Sequence, residues 1–99
     1  MNRLVLVMTA KAGKTREAIA GLKAIADYAG GKYGRKAEMY LQIFGGTSGT
    51  FYAMADYKDL ADAQAAFASM MTDDKYMTLA EKLSEALIAP PTVTLLQPV

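Results

Sequence analysis

The 99-residue sequence contains no cysteine, no histidine and no tryptophan. Without cysteine there is no disulfide frame, no thiolate metal site and no sulfur nucleophile. Without histidine the commonest general base and the commonest metal ligand are both gone. Any chemistry has to come from carboxylates, Arg, Lys, Tyr, Ser and Thr, from the backbone, or from a bound group. Neither sign of charge prevails: 11 basic and 10 acidic residues leave a net +1. That balance offers no field for nucleic acid or an anionic membrane, so neither is expected as a partner. No apolar run approaches the length of a membrane span. Leu4–Met8 behind Arg3 is too short for a secretory core and leads to no small-residue cleavage site, so a cytoplasmic protein is expected.

What is present is apolar for so small a chain, at 53% hydrophobic residues. The length fits one domain over residues 1–99. A domain this small has a large surface for its volume, so part of its apolar surface is expected to be covered by a partner.

Along the chain, Arg3–Ala10 is aliphatic at both parities and reads as a strand buried on both faces. Lys14–Ala29 carries Ala18, Leu22, Ile25 and Ala29 at helical spacing, and Gly30-Gly31 is expected to end that helix. Ala37–Phe44 and Thr50–Tyr57 alternate as strands, and Gly45–Gly49 forms a five-residue hairpin loop between them. Pairing Phe44 with Thr50 stacks Ile43 on Phe51, Leu41 on Ala53 and Met39 on Ala55. On the opposite face Gln42 meets Tyr52, Tyr40 meets Met54 and Glu38 meets Asp56. A slip by one residue would mix the two sets. Asp59 is a natural N-cap for a helix marked by Leu60, Ala63, Phe67 and Met70. Thr72-Asp73-Asp74 restarts helix at a capping hydroxyl, with Tyr76, Leu79, Leu83 and Leu87 as its apolar stripe. Pro90-Pro91 stops it, and Thr92–Gln97 reads as the last strand.

The order strand, helix, strand, strand, split helix, strand is the ferredoxin-like α+β arrangement, with helices on one face of an antiparallel sheet. The helix-covered face takes Met39, Leu41, Ile43, Phe51, Ala53 and Ala55. The open face takes Glu38, Tyr40, Gln42, Phe44, Tyr52, Met54 and Asp56, joined by Val5 and Val7 or by Leu4, Leu6 and Met8. It is too aromatic for bare surface and too polar for a dry core. Two such faces packed together would form a homodimer around a cavity with polar handles.

The chain resembles the dimeric α/β-barrel superfamily, and within it the NIPSNAP-like members. The resemblance is carried by Gly13-Lys14 at the first helix, Phe44–Thr50 at the hairpin, Asp56–Leu60 leading into helix, Asp73-Asp74-Lys75-Tyr76 at the split, and Thr92–Val99. It implies a homodimer whose two sheets close into one barrel. Relatives in that superfamily span monooxygenases, haem-degrading proteins and small isomerases, so the fold selects no reaction. The resemblance implies that haem-handling members rely on His, and haem-degrading ones also on Trp; this chain has neither.

Candidate ligand contacts are Arg3, Glu38, Tyr40, Gln42, Tyr52, Met54 and Asp56 in the barrel interior. Glu38 and Asp56, if paired, could do acid–base work or simply sit solvated at the rim. Tyr40, Gln42 and Tyr52 need hydrogen-bond partners if buried, from a ligand, the dimer partner or water. Gly13-Lys14-Thr15 lacks the glycine that a phosphate loop requires five positions earlier, where Met8 stands, and reads as a loop with an exposed lysine. Asp73, Asp74 and Glu81 read as a helical surface with no metal site. The methionines read as adaptable packing. The expected function is a homodimeric binding protein for a small, partly apolar, aromatic ligand, with no metal or cofactor and with catalysis left open. A cofactor-independent monooxygenase on a quinol-like substrate and a purely structural assembly module are the alternatives.

Overall fold

The computed structural model describes residues Met1–Val99. Four strands and three helices follow the expected order: β1 (Asn2–Thr9), α1 (Thr15–Tyr33), β2 (Glu38–Leu41), β3 (Thr50–Tyr57), α2 (Leu60–Met71), α3 (Asp74–Ser84) and β4 (Thr92–Leu96). The sheet runs β2-β3-β1-β4 and every pairing is antiparallel. This is the ferredoxin-like α+β fold, with the second helix split as expected. No helix is long and apolar enough to cross a membrane.

Strand register decides which side chains meet the helices. Leu4, Leu6 and Met8 stand opposite Ala55, Ala53 and Phe51. Leu4 and Leu6 also stand opposite Leu95 and Val93. These share the helix-covered face, which leaves Val5 and Val7 on the open one. One core cluster gathers Met8, Ala10, Ala18, Leu22, Phe51, Ala53, Leu83, Ala86 and Leu87. A second is built on Leu4, Tyr57 and Ala63, with Phe67 against it.

The hairpin departs from its expected register by two residues. Met39 pairs with Ala53 and Leu41 with Phe51, while Glu38 pairs with Met54 and Tyr40 with Tyr52. Glu38 therefore does not face Asp56. The strand stops at Leu41, and Ile43 and Phe44 project into the connection, 92% and 94% exposed. The connection is longer because its own polar groups organise it. The Gln42 side-chain amide donates to the Gly45 and Thr47 carbonyls, and the Thr50 hydroxyl donates to Thr47 O at 2.6 Å. A shift of two keeps the side chains of Glu38–Leu41 and of β3 on their expected faces, while Ile43, expected under the helices, and Phe44 leave the sheet.

Helix α1 also outruns its expected end. Gly30 and Gly31 lie inside it, and the chain leaves the helix at Gly34, whose φ of 68° is left-handed and whose N–H returns to Gly30 O at 3.1 Å. Two glycines weaken a helix interior by about 1 kcal/mol each. The turn persists because Tyr28, Lys32 and Tyr33 are all anchored to Asp73, at the start of α3. Asp73, expected on the surface, is buried. Its carboxylate, rather than the Thr72 hydroxyl, caps α3 by accepting from the Lys75 and Tyr76 amides at 3.1 Å. Asp59 caps α2 as expected, accepting from Asp62 N at 2.9 Å.

Candidate functional site

The seven residues singled out from the sequence lie on the open face of the sheet or at its hairpin end. There they pair with one another. Arg3 donates to both oxygens of Asp56, at 3.0 and 3.3 Å. That guanidinium holds the Asp56 carboxyl below its ordinary range. The Tyr40 hydroxyl donates to Glu38, which raises the Tyr40 pKa. The Tyr52 hydroxyl donates to Gln42 Oε1 at 2.9 Å. Met54 supplies the apolar floor between them, opposite Val5 on one side and Glu38 on the other. Arg3, Glu38 and Asp56 also line a charged recess of about 150 Å³ with Arg35 and Lys36, at the start of β2. No group of three or more acidic side chains converges as a metal ligand set would.

An apolar cavity lies on the other side of the sheet. It occupies about 80 Å³ beneath the helices, and its walls take Leu4 and Tyr57 from one core cluster and Leu22 and Ala53 from the other. Fourteen of its fifteen lining residues are hydrophobic; the exception is Arg35. Small side chains open it: Ala26 and Ala29 on α1 and Ala53 and Ala55 on β3 leave space that Leu or Ile would fill. Periodicity marks these alanines as core-facing in the sequence, but it cannot show that their missing volume coincides in space.

Two phenols border this cavity. Tyr57, at the end of β3, is 3% exposed, and Tyr76 stands in the first turn of α3. Neither hydroxyl has a hydrogen-bond partner within the chain, and since no buried side-chain oxygen lacks one, both hydroxyls reach solvent. Burial raises the pKa of both, so both remain protonated donors at neutral pH. Arg35 follows the left-handed Gly34 and lays its guanidinium over the Tyr57 ring, 4.5 Å from the centroid. It forms an ion pair with Asp62 in which both side chains are only about a quarter exposed. Asp62 is held in turn by Lys58 N at 2.9 Å; this amide first, and Arg35 second, keep its carboxyl below the ordinary range. The site thus combines an apolar interior, two unspent hydroxyl donors and one cation, the usual make-up of a small-molecule pocket. Sequence reading overlooked it because Arg35 sits in a basic turn and Tyr57 and Tyr76 sit at element ends, where nothing local signals convergence.

No family profile matches the chain, and no curated protein matches it by sequence. Solved structures do match its fold. An uncharacterized NIPSNAP domain protein from Burkholderia xenovorans superposes with a TM-score of 0.85 at 16% identity, covering 100% of this chain and 95% of that one. A NIPSNAP family protein from Agrobacterium tumefaciens gives 0.80 at 16% identity, covering 99% and 92%. A candidate antibiotic biosynthesis monooxygenase from Nitrosomonas europaea gives 0.76 at 14% identity, covering 100% and 99%. The resemblance read from the sequence therefore holds at the level of the fold, and identities this low carry no activity across.

Proposed function

We propose that this chain is a small-molecule-binding protein whose ligand occupies the apolar cavity between helices and sheet, and that it works as a homodimer joined through the open sheet face. The observation that carries the reading is an apolar cavity bordered by one cation, Arg35, and by the phenols Tyr57 and Tyr76, whose hydroxyls are open to water or a ligand. The handles on the open face are differently placed. The Tyr40 and Tyr52 hydroxyls already donate to neighbours, and Arg3 is paired through Nε and Nη2 with Asp56. Their mutual pairing suits an interface that must hide polar groups without leaving them unsatisfied.

The ligand is small. A cavity of about 80 Å³ is below the roughly 150 Å³ that admits benzene in an engineered apolar core. Met70 in its wall is an unbranched, adaptable side chain that can shift to widen it. A second ligand position between two open faces, as expected from the sequence, is favoured by the charged recess of Arg3, Glu38 and Asp56. It would hold a polar molecule. The monooxygenase alternative, with Glu38 or Tyr40 on the open face as its base, is not better supported: the Tyr40 hydroxyl already donates to Glu38. The cytoplasmic location is kept as part of the proposal and is read directly by cell fractionation.

Titration with xenon, a smaller apolar probe than benzene, followed through the methionine methyl resonances, tests the site. Met70 is buried in the cavity wall and Met71, one residue on, is 64% exposed. A saturable shift of the Met70 methyl with Met71 unmoved is expected. Ala26→Leu, which fills the cavity, should abolish it. A Met70 resonance that does not respond would refute the helix-side pocket.

A further inference from the structure

The helix-side cavity has one charged lining residue, and its surroundings say what that residue can read. Arg35 contacts Asp62 through Nη2 alone. A guanidinium offers five N–H donors in a fixed fork, and no other acceptor in the chain engages Arg35. The fork is positioned rather than loose. Gly34 turns the backbone out of α1, the Tyr57 ring supports one face of the guanidinium, and Asp62 is itself fixed by the Lys58 amide. The unspent hydroxyls of Tyr57 and Tyr76 border the same cavity. A cation with free donors, two phenol donors and an apolar interior are together complementary to one kind of molecule: an oxyanion on an apolar body.

We propose that Arg35 is the specificity-determining residue of the pocket and selects small monocarboxylates. The apolar body enters beneath the helices, and the carboxylate takes the free edge of the Arg35 fork with a phenol hydroxyl beside it. Asp62 is the internal competitor: its carboxylate holds the same guanidinium when no ligand is bound, and keeps the cation from drawing in bulk anions. This inference rests on the helix-side pocket proposed above. It goes further in naming the head group and the residue that reads it.

Hexanoate and 1-hexanol share a tail and differ in charge, so their dissociation constants, read through the Met70 methyl, separate the two claims. The ratio of the two constants is the decisive quantity. In the native chain hexanoate should bind more tightly than hexanol. Arg35→Met should raise the hexanoate constant by about tenfold or more, as expected for loss of charge-assisted hydrogen bonds, and leave hexanol nearly unchanged. Asp62→Asn keeps the shape and removes the competing charge, and should tighten hexanoate alone, by about tenfold at the effective dielectric of a partly exposed pair. Arg35→Lys keeps the charge but not the fork and should fall between. If both probes bind and Arg35→Met and Asp62→Asn leave their ratio unaltered, Arg35 does not read the head group and the proposal fails while the pocket stands. If neither probe moves Met70 in the folded native chain, the pocket itself is refuted and the selectivity with it.

Discussion

The Asp73 carboxylate accepts from the Tyr28 hydroxyl at 2.7 Å, the Tyr33 hydroxyl at 2.6 Å, Lys32 Nζ at 3.0 Å and two backbone amides. The Tyr33 hydroxyl first, then Tyr28 and Lys32, hold its carboxyl far below the ordinary range against the opposing effect of burial. Lys32 is raised by the hydrogen bond to Asp73, and Tyr33 by the same partner. The signs give a window. A depressed carboxyl stabilises the fold above its unfolded pKa, about 4, and loses that contribution as pH falls below it. A raised ammonium or phenol stabilises below its unfolded pKa, about 10, and loses that contribution as pH rises. The clamp is therefore strongest between those limits. Asp73→Asn should lower the thermal midpoint at neutral pH, and the gap between variant and native chain should close below about pH 4. A gap that stays constant down to pH 2 would show that the charge of Asp73 is not what matters. None of this was legible from the sequence. Asp73-Asp74 at a helix start looks like ordinary dipole complementarity, and its three side-chain partners lie on a helix far away in the chain.

Among the elements, α1 and the β2–β3 hairpin show how far local signals reach. Alternation sorted β3 and the short β2 onto correct faces because side-chain parity survives a two-residue shift. It could not locate the end of β2, which is set by the Gln42 amide closing on the Gly45 carbonyl. The glycines at the end of α1 misled for a related reason. Gly30-Gly31 has the composition of a stop, but a stop needs a residue that adopts left-handed φ, and only Gly34 does so here. The two kinds of glycine should respond oppositely to alanine. A Cβ at Gly31 meets nothing within 4 Å, so Gly31→Ala should stabilise the fold by about 0.5–1 kcal/mol. Gly34→Ala also meets no neighbour, but at φ +68° it should cost about 1–2 kcal/mol. Chemical denaturation of the two variants checks both signs.

For the molecule as a whole, the open face bears on assembly. Tyr40 and Leu96 are each half exposed, with Val5, Val7, Tyr52 and Met54 half-buried between them. The outer strands β2 and β4 leave unpaired edges. A homodimer through this face would cover its apolar side chains. Tyr52→Lys places a charge at the centre of that face and should weaken the dimer by about 3 kcal/mol, roughly a hundredfold in dissociation constant. Sedimentation velocity at micromolar concentration checks it. A native chain that sediments as a monomer there would remove the dimer. The face itself was legible in the sequence because it obeys period two. The helix-side pocket was not, because it is made of coinciding small residues from separate elements, Ala26 and Ala29 with Ala53 and Ala55.

The contact between the end of α1 and the start of α3 gives this cysteine-free chain a staple of another kind. It ties two helices distant in sequence at a single carboxylate, as a disulfide ties two segments, yet nothing in it can be reduced. Thiol reagents should leave the joint intact, whereas protonation of Asp73 in acid, or loss of the Lys32 and Tyr33 protons in strong alkali, should open it.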